Sequence, residues 1–271
     1  MTGPISLPLL RRTWRAQRGR VALVCVALAI WSYLMPVVYA TFGRQLATLL
    51  DTGIIPAPFL RLMGADPFSL VGAVSLGWVH PIAIGMFVLF PLGLGAAAIA
   101  GERQRGTLEV ILSRPISRRT LFVTHYLALV LISVLTVLAA LAGTLAGAVV
   151  YDVAGDLDPA ALAFLVLNTV LLLGAFGAIT LAASASFDRL AAPVGIGIAV
   201  LLLGYVLEVL GTLWPDASFL QPVSPFHYLS PLEVLDGRGD PVDLLVLAAA
   251  AVVAVGYGLW RFPRRDLAAP S

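Results

Sequence analysis

Six long apolar runs, separated by short polar stretches, dominate this chain. They lie near residues 21–42, 77–100, 120–150, 160–186, 191–213 and 242–261. Each is about 20 residues or more, enough for a helix to cross a hydrocarbon core of roughly 30 Å. The runs are continuous and do not alternate apolar with polar positions, so they lack the period of barrel strands, and an open sheet edge cannot survive in lipid. The pattern predicts an all-α polytopic membrane protein with six transmembrane helices, folded as a single transmembrane domain over residues 1–271.

The polar stretches carry their own signals. Before the first run, Leu7, Leu10 and Trp14 share one helical face while Arg11, Arg15 and Arg18 occupy others. That predicts an N-terminal amphipathic helix over 4–20 lying in the membrane interface. Between Gly43 and Ser75, Pro56 and Pro58 open a short apolar segment that Gly64 and Pro67 close, predicting a small interfacial helix. Asp152, Asp156 and Asp158 have a spacing like a calcium loop, but the remaining ligands and the glycine of an EF-hand are missing. A solvated turn, with Pro159 opening the next helix, is the better reading. The Pro-rich segment between Trp214 and Pro241 interleaves Phe219, Phe226 and Tyr228. It fits a partly folded cap with a re-entrant hairpin and equally an aromatic belt at the interface. Gly143 and Gly147 form a GxxxG pair, and Gly93 with Gly95, Gly174 with Gly177 and Gly195 with Gly197 thin other helix faces. Such residues let helices approach closely, within the subunit or across a dimer.

Composition narrows the class. A mean hydropathy of +0.97 with 12% charged residues excludes a soluble domain. All 17 basic residues are Arg, and with the N-terminus inside the cell, 14 of them fall on the cytoplasmic side. Only Arg44, Arg61 and Arg238 then face outward, so positive-inside topology places both termini in the cytoplasm. The pI of 8.9 does not imply nucleic acid, because the arginines flank spans, where topology and anionic membrane lipid account for them. The charged start followed by an apolar run imitates a secretory signal, but the run is too long, so residues 21–42 are read as a retained span. The lone Cys25 lies in a span, giving neither a disulfide framework nor a thiolate cluster.

Catalytic chemistry finds little support. His80, His125 and His227 fall in three different regions, so no metal site is expected. No Ser/His/Asp or H-E-x-x-H pattern points to a hydrolase, and no cofactor is expected. The chain contains no lysine, which a P-loop needs to reach the β and γ phosphates. It is therefore not expected to be an enzyme, and any ATP-driven movement requires an ATPase on another polypeptide. Within the spans, Glu208 is the one acid and Asn168 a further polar group, making them candidate pathway residues. Packing against neighbouring helices also accounts for Asn168.

The segment Gly101–Arg119, GERQRGTLEVILSRPISRR, holds seven charges in nineteen positions. Gly106 and Thr107 break and restart a helix, Pro115 stops it and Ser117 caps the third span. Leu108, Ile111 and Leu112 form an apolar ridge able to press into a groove on a partner. The ordered run of Glu102, Gly106, Thr107, Leu108, Glu109, Leu112, Ser113, Pro115, Ile116, Ser117 and Arg118 resembles the linker between spans two and three in permease subunits of type-2 ATP-binding-cassette exporters. SPFHYLSPLEVL at 224–235 and WRFPRRDL at 260–267 add to that resemblance, although Pro263 departs from it and argues against a helical tail.

The resemblance implies a six-span subunit of the cell membrane that forms a homodimer and binds two copies of a separate ATPase. It makes 101–119 a coupling helix, with Glu102 and Arg103 anchoring its base and Gly106 to Ser113 transmitting motion. The cargo would be an amphipathic or lipid-like small molecule or drug, with metalloenzyme maturation as an alternative role. A secondary transporter or channel using Glu208 is the competing reading of the residues themselves.

Overall fold

The computed structural model describes residues 3–51 and 69–266. The short helix expected between Pro56 and Pro67 lies outside them. Among the described residues there is no strand, and six helices are long and apolar enough to span a membrane.

The first, α1 (Leu7–Asp51), joins the amphipathic stretch expected over 4–20 and the first span in one helix. Residues 7–20 are simply its opening turns, since nothing between Arg20 and Val21 breaks the helix. At 1.5 Å per residue this 45-residue helix is about 68 Å long, far more than a bilayer requires. It stands beside α5 (Arg118–Val150) along nearly the whole of that helix. At the bottom, the Ser6 amide donates to Thr124 Oγ1 at 3.0 Å, and Leu9 is buried with Leu121 and Phe122. Higher up, α1 lies on Gly143 and Gly147 of α5. A Cβ at Gly143 would collide with the Ala29 backbone carbonyl, and one at Gly147 would come within 2.5 Å of the Tyr33 carbonyl. The GxxxG pair thus serves contact within the subunit. Gly143→Ala is expected to destabilise the fold by about 1–3 kcal/mol, because backbone cannot yield as a side chain would. A melting midpoint in detergent equal to that of the parent would contradict this close approach.

A ten-residue helix, α2 (Leu70–Val79), precedes the second span, and Ser69 caps it by accepting from the Gly72 amide at 2.9 Å. It is not continuous with the expected run from residue 77, because Pro81 has no amide to extend it. α3 (Pro81–Gln104) begins there, with Pro81 in its first turn. After the linker come α4 (Leu108–Leu112) and then α5. The α5 end is closed by Asp152, held at φ 56°, and Asp158 opens α6 (Pro159–Ser186) by accepting from the Ala160 and Ala161 amides at 3.0 and 3.3 Å. The three aspartates thus form a turn and a cap.

α6 is the hub, packed by α3, α5, α7 (Ala191–Leu213) and α9 (Pro241–Arg264), with Leu165, Leu172, Leu173, Phe176 and Leu181 fully enclosed. α7 and α9 leave apolar faces open, including Leu202, Leu203, Val252 and Val253, as lipid-facing helices do. α9 continues one residue past Pro263, so that proline marks the final turn instead of preventing it.

Between α7 and α9 the chain folds into a 3-10 stretch (Pro215–Val223), a tight turn and α8 (Pro231–Leu235). Ser224 Oγ donates to the Gly204 carbonyl at 2.8 Å. Gly204 lies nine residues from the end of α7, about 14 Å down the helix, so irregular backbone packs well below that end. It is covered there by protein, the condition under which such backbone is tolerated. The segment is partly folded, as expected, and it is not a regular hairpin.

Candidate functional site

The arginine-rich end of the bundle gathers the linker, the start of α1, the end of α9 and the α6–α7 turn. The sequence AAIAG at Ala97–Gly101 winds as a π turn within α3. Its freed amides are used by one buried side chain of α6: Ser184 Oγ accepts from Ile99 N at 3.1 Å and Ala100 N at 2.9 Å, and donates to the Ala96 carbonyl at 2.7 Å. Small residues on α3 permit that approach, and π turns of this kind commonly mark functional sites.

α3 ends three residues beyond the π turn. The Gly106 amide bonds the Arg103 carbonyl and the Thr107 amide bonds the Glu102 carbonyl, both at 2.9 Å. This pair of bonds is a Schellman closure, and it needs the left-handed conformation that Gly106 supplies with φ 70°. Glu102 locks the reversal with its side chain. Its Oε1 accepts from Arg105 at 2.9 Å and its Oε2 from the Thr107 hydroxyl.

α4 follows, and its orientation overturns the expectation that the Leu108, Ile111 and Leu112 ridge faces a partner. Leu108 is 2% exposed, in a cluster with Leu9, Ile99, Phe122 and Phe262, and Ile111 and Leu112 pack at its edge. A ridge of three apolar residues gains most by covering the bundle base. What faces outward is Glu109, Val110, Ser113, Arg114 and Pro115, with Val110 64% exposed. Ser113 Oγ donates to the Val110 carbonyl at 2.9 Å, finishing the helix. Ser117 then caps α5 by accepting from the Thr120 amide at 3.0 Å.

Two ion pairs that share Asp188, with hydrogen bonds beside them, tie the linker to the rest of the base. Arg103 pairs with Asp188, in the α6–α7 turn, and so does Arg265, just beyond α9. Arg265 is 8% exposed and also donates to the Ala185 and Phe187 carbonyls at 3.1 and 2.9 Å, capping α6. Burial pulls its guanidinium below its ordinary value, and Asp188 opposes that shift. Arg118 does for α9 what Arg265 does for α6, donating to the Phe262, Pro263 and Arg265 carbonyls at 3.3, 3.4 and 2.6 Å. The Gln104 side-chain oxygen accepts from the Leu190 amide at 2.8 Å. The linker, the α6–α7 turn and the end of α9 are consequently one bonded unit.

Of the residues singled out in sequence, Glu102, Arg103, Gly106, Thr107 and Leu108 lie within this unit, while Glu109, Ser113 and Pro115 lie on its outer face and Leu112 at its edge. Glu208 and Asn168 do not join them or each other. Asn168 is buried in α6 and donates to the Tyr228 carbonyl at 2.8 Å, holding the segment between α7 and α9. Glu208 lines a cavity at the opposite end. Sequence reasoning missed Asp188, Ser184 and Arg265 as site residues. Asp188 and Arg265 are 77 residues apart in sequence, and each reads locally as a charge beside a span.

A family model described as ABC-2 family transporter protein matches residues 16–267. No curated protein and no solved structure gives a significant match. The match covers all six spans and the bonded base between them, and the chain accordingly belongs to the ABC-2 transporter family, as a membrane-spanning permease subunit.

Proposed function

We propose that this permease is the membrane part of an ATP-driven exporter that moves amphipathic or lipid-like small molecules or drugs out of the cell. The arginine-rich end is then cytoplasmic, both termini lie there, and two copies pair in the plasma membrane. The family brings an ATP-binding-cassette ATPase as partner. Because the chain lacks any lysine for a P-loop, hydrolysis belongs to that separate subunit and this chain is not an enzyme.

One observation carries the reading: α4 offers Glu109, Val110, Ser113 and Arg114 to the outside while Leu108 anchors it to the bundle. A subunit pressing on that outer face moves a rigid lever. Arg103, Asp188 and Arg265 pass the movement to α6, α7 and α9 together, which suits a rigid-body change between two states. Binding of ATP by the partner shifts the balance of those states only through contacts that differ between them.

The test is transport in inside-out vesicles containing the permease with its ATPase subunit. Accumulation of an amphipathic dye should need ATP, and a hydrolysis-deficient ATPase should abolish it. Equal accumulation driven by a proton gradient without ATP would overturn the proposal and favour a Glu208-linked secondary transporter.

A further inference from the structure

At the end opposite the arginine-rich base, α2, the start of α3, α7 and the segment between α7 and α9 line an open cavity of about 520 Å³. That volume is in the range of small-molecule sites, roughly 300–1,000 Å³. Its walls are mainly apolar and aromatic, including Leu76, Ile84, Tyr205, Phe226 and Leu229. Tyr205 and Phe226 meet edge to face, with ring centroids 5.9 Å apart. Among the described residues, no Arg lines the cavity.

Two polar atoms in this wall, on Glu208 and Ser75, have no hydrogen-bond partner among the described residues. Glu208, whose side chain is 26% exposed, accepts from Gln221 Nε2 at 2.9 Å through Oε1. Its Oε2 is enclosed and accepts no hydrogen bond among the described residues, and His227 Nδ1 stands 3.9 Å away. Ser75, only 5% exposed, lines the same cavity with a hydroxyl that makes no hydrogen bond among the described residues. Glu233 adds a second carboxyl group at the rim. An enclosed carboxylate oxygen without a partner is costly in a folded protein, and a positive charge beside it offsets that cost.

We propose that this cavity binds amphipathic organic cations, with Glu208 Oε2 as the counter-charge and the Tyr205 and Phe226 rings as the wall against which the cation's apolar body packs. The chemistry selects against the other classes. Anions meet Glu208 and Glu233 with no described arginine in the lining, and a bare metal ion finds no group of three ligating side chains among the described residues. A neutral lipid brings no positive charge to Glu208, whereas an organic cation gains the carboxylate's charge and the aromatic faces together. The site deepens the export reading, on which its role as a point of cargo release rests.

The test uses the full-length permease co-purified with its ATPase subunit in lipid nanodiscs, without nucleotide. Radiolabelled tetraphenylphosphonium is the probe, and tetraphenylborate, an anion of the same shape, is the control. Saturable binding of the cation, about tenfold weaker in Glu208→Gln and partly restored in Glu208→Asp, is the expected result. Tetraphenylborate should show no such loss. Ser230→Trp, which narrows the cavity from outside the spans, should weaken the cation independently of charge. Equal cation affinity in Glu208→Gln and the parent, or no saturable binding in the parent, would overturn the assignment. Saturable Glu208-dependent binding without ATP-driven transport would uphold the site and remove the export reading. ATP-driven transport without saturable cation binding would do the reverse.

Discussion

Replacing Asp188 with alanine is expected to disconnect the linker from the bundle, leaving the ATPase active while transport falls by about tenfold or more. Asp188 is the shared partner of Arg103 and Arg265. Its removal leaves two guanidinium groups close together, one of them almost fully buried, and their repulsion then favours separating α3 from α9. The stability loss should be modest. Asp188 is itself 58% exposed, so water screens the pairs, and about 1–2 kcal/mol is a reasonable size. The functional loss should be larger, because the contact joins the element that an ATPase would press to the helices that must move. Asp188→Glu keeps the charge and should retain part of the transport, and a double-mutant cycle with Arg103→Ala should show coupling. Wild-type transport per ATP hydrolysed in Asp188→Ala would mean that this contact only decorates the base.

How far the sequence revealed this arrangement depends on the range of each signal. Long apolar runs are local and strong, so the helices appear where hydropathy places them. The Gly106, Pro115 and Ser117 punctuation is also local, and it delivers the turn, the stop and the cap expected of it. Orientation is a different matter. Leu7, Leu10 and Trp14 describe an amphipathic face, yet it is Leu9 that packs on Leu121 and Phe122 of α5, while Leu7 and Trp14 stay exposed. The Leu108 ridge has the same ambiguity, since periodicity identifies an apolar face without saying what covers it. Gly143 and Gly147 announce a close approach but not that Ala29 and Tyr33 approach. The π turn leaves no mark in AAIAG, because its stabilising hydroxyl comes from Ser184, far along the chain.

A proline at Gly106 is expected to have the largest effect of any single change in the linker: transport should cease while ATP hydrolysis by the partner continues. Gly106 adopts φ 70°, and a Cβ there would meet open space, so crowding is not the obstacle. The obstacle is the backbone itself. A pyrrolidine ring fixes φ near −65°, so the left-handed turn is unreachable, and the ring nitrogen has no hydrogen to donate to the Arg103 carbonyl. The Schellman closure then fails, and with it the geometry that brings the Thr107 hydroxyl to Glu102. α4 would leave α3 at a different angle and lose the burial of Leu108. Gly106→Ala separates conformation from bonding, because alanine keeps the amide and can enter the left-handed region at about 1–2 kcal/mol. Alanine should therefore retain partial transport where proline retains none, with both variants assembling with the ATPase and reaching the membrane. Transport in Gly106→Pro equal to the parent, measured in the same vesicles as ATP turnover, would remove the linker from the path of coupling.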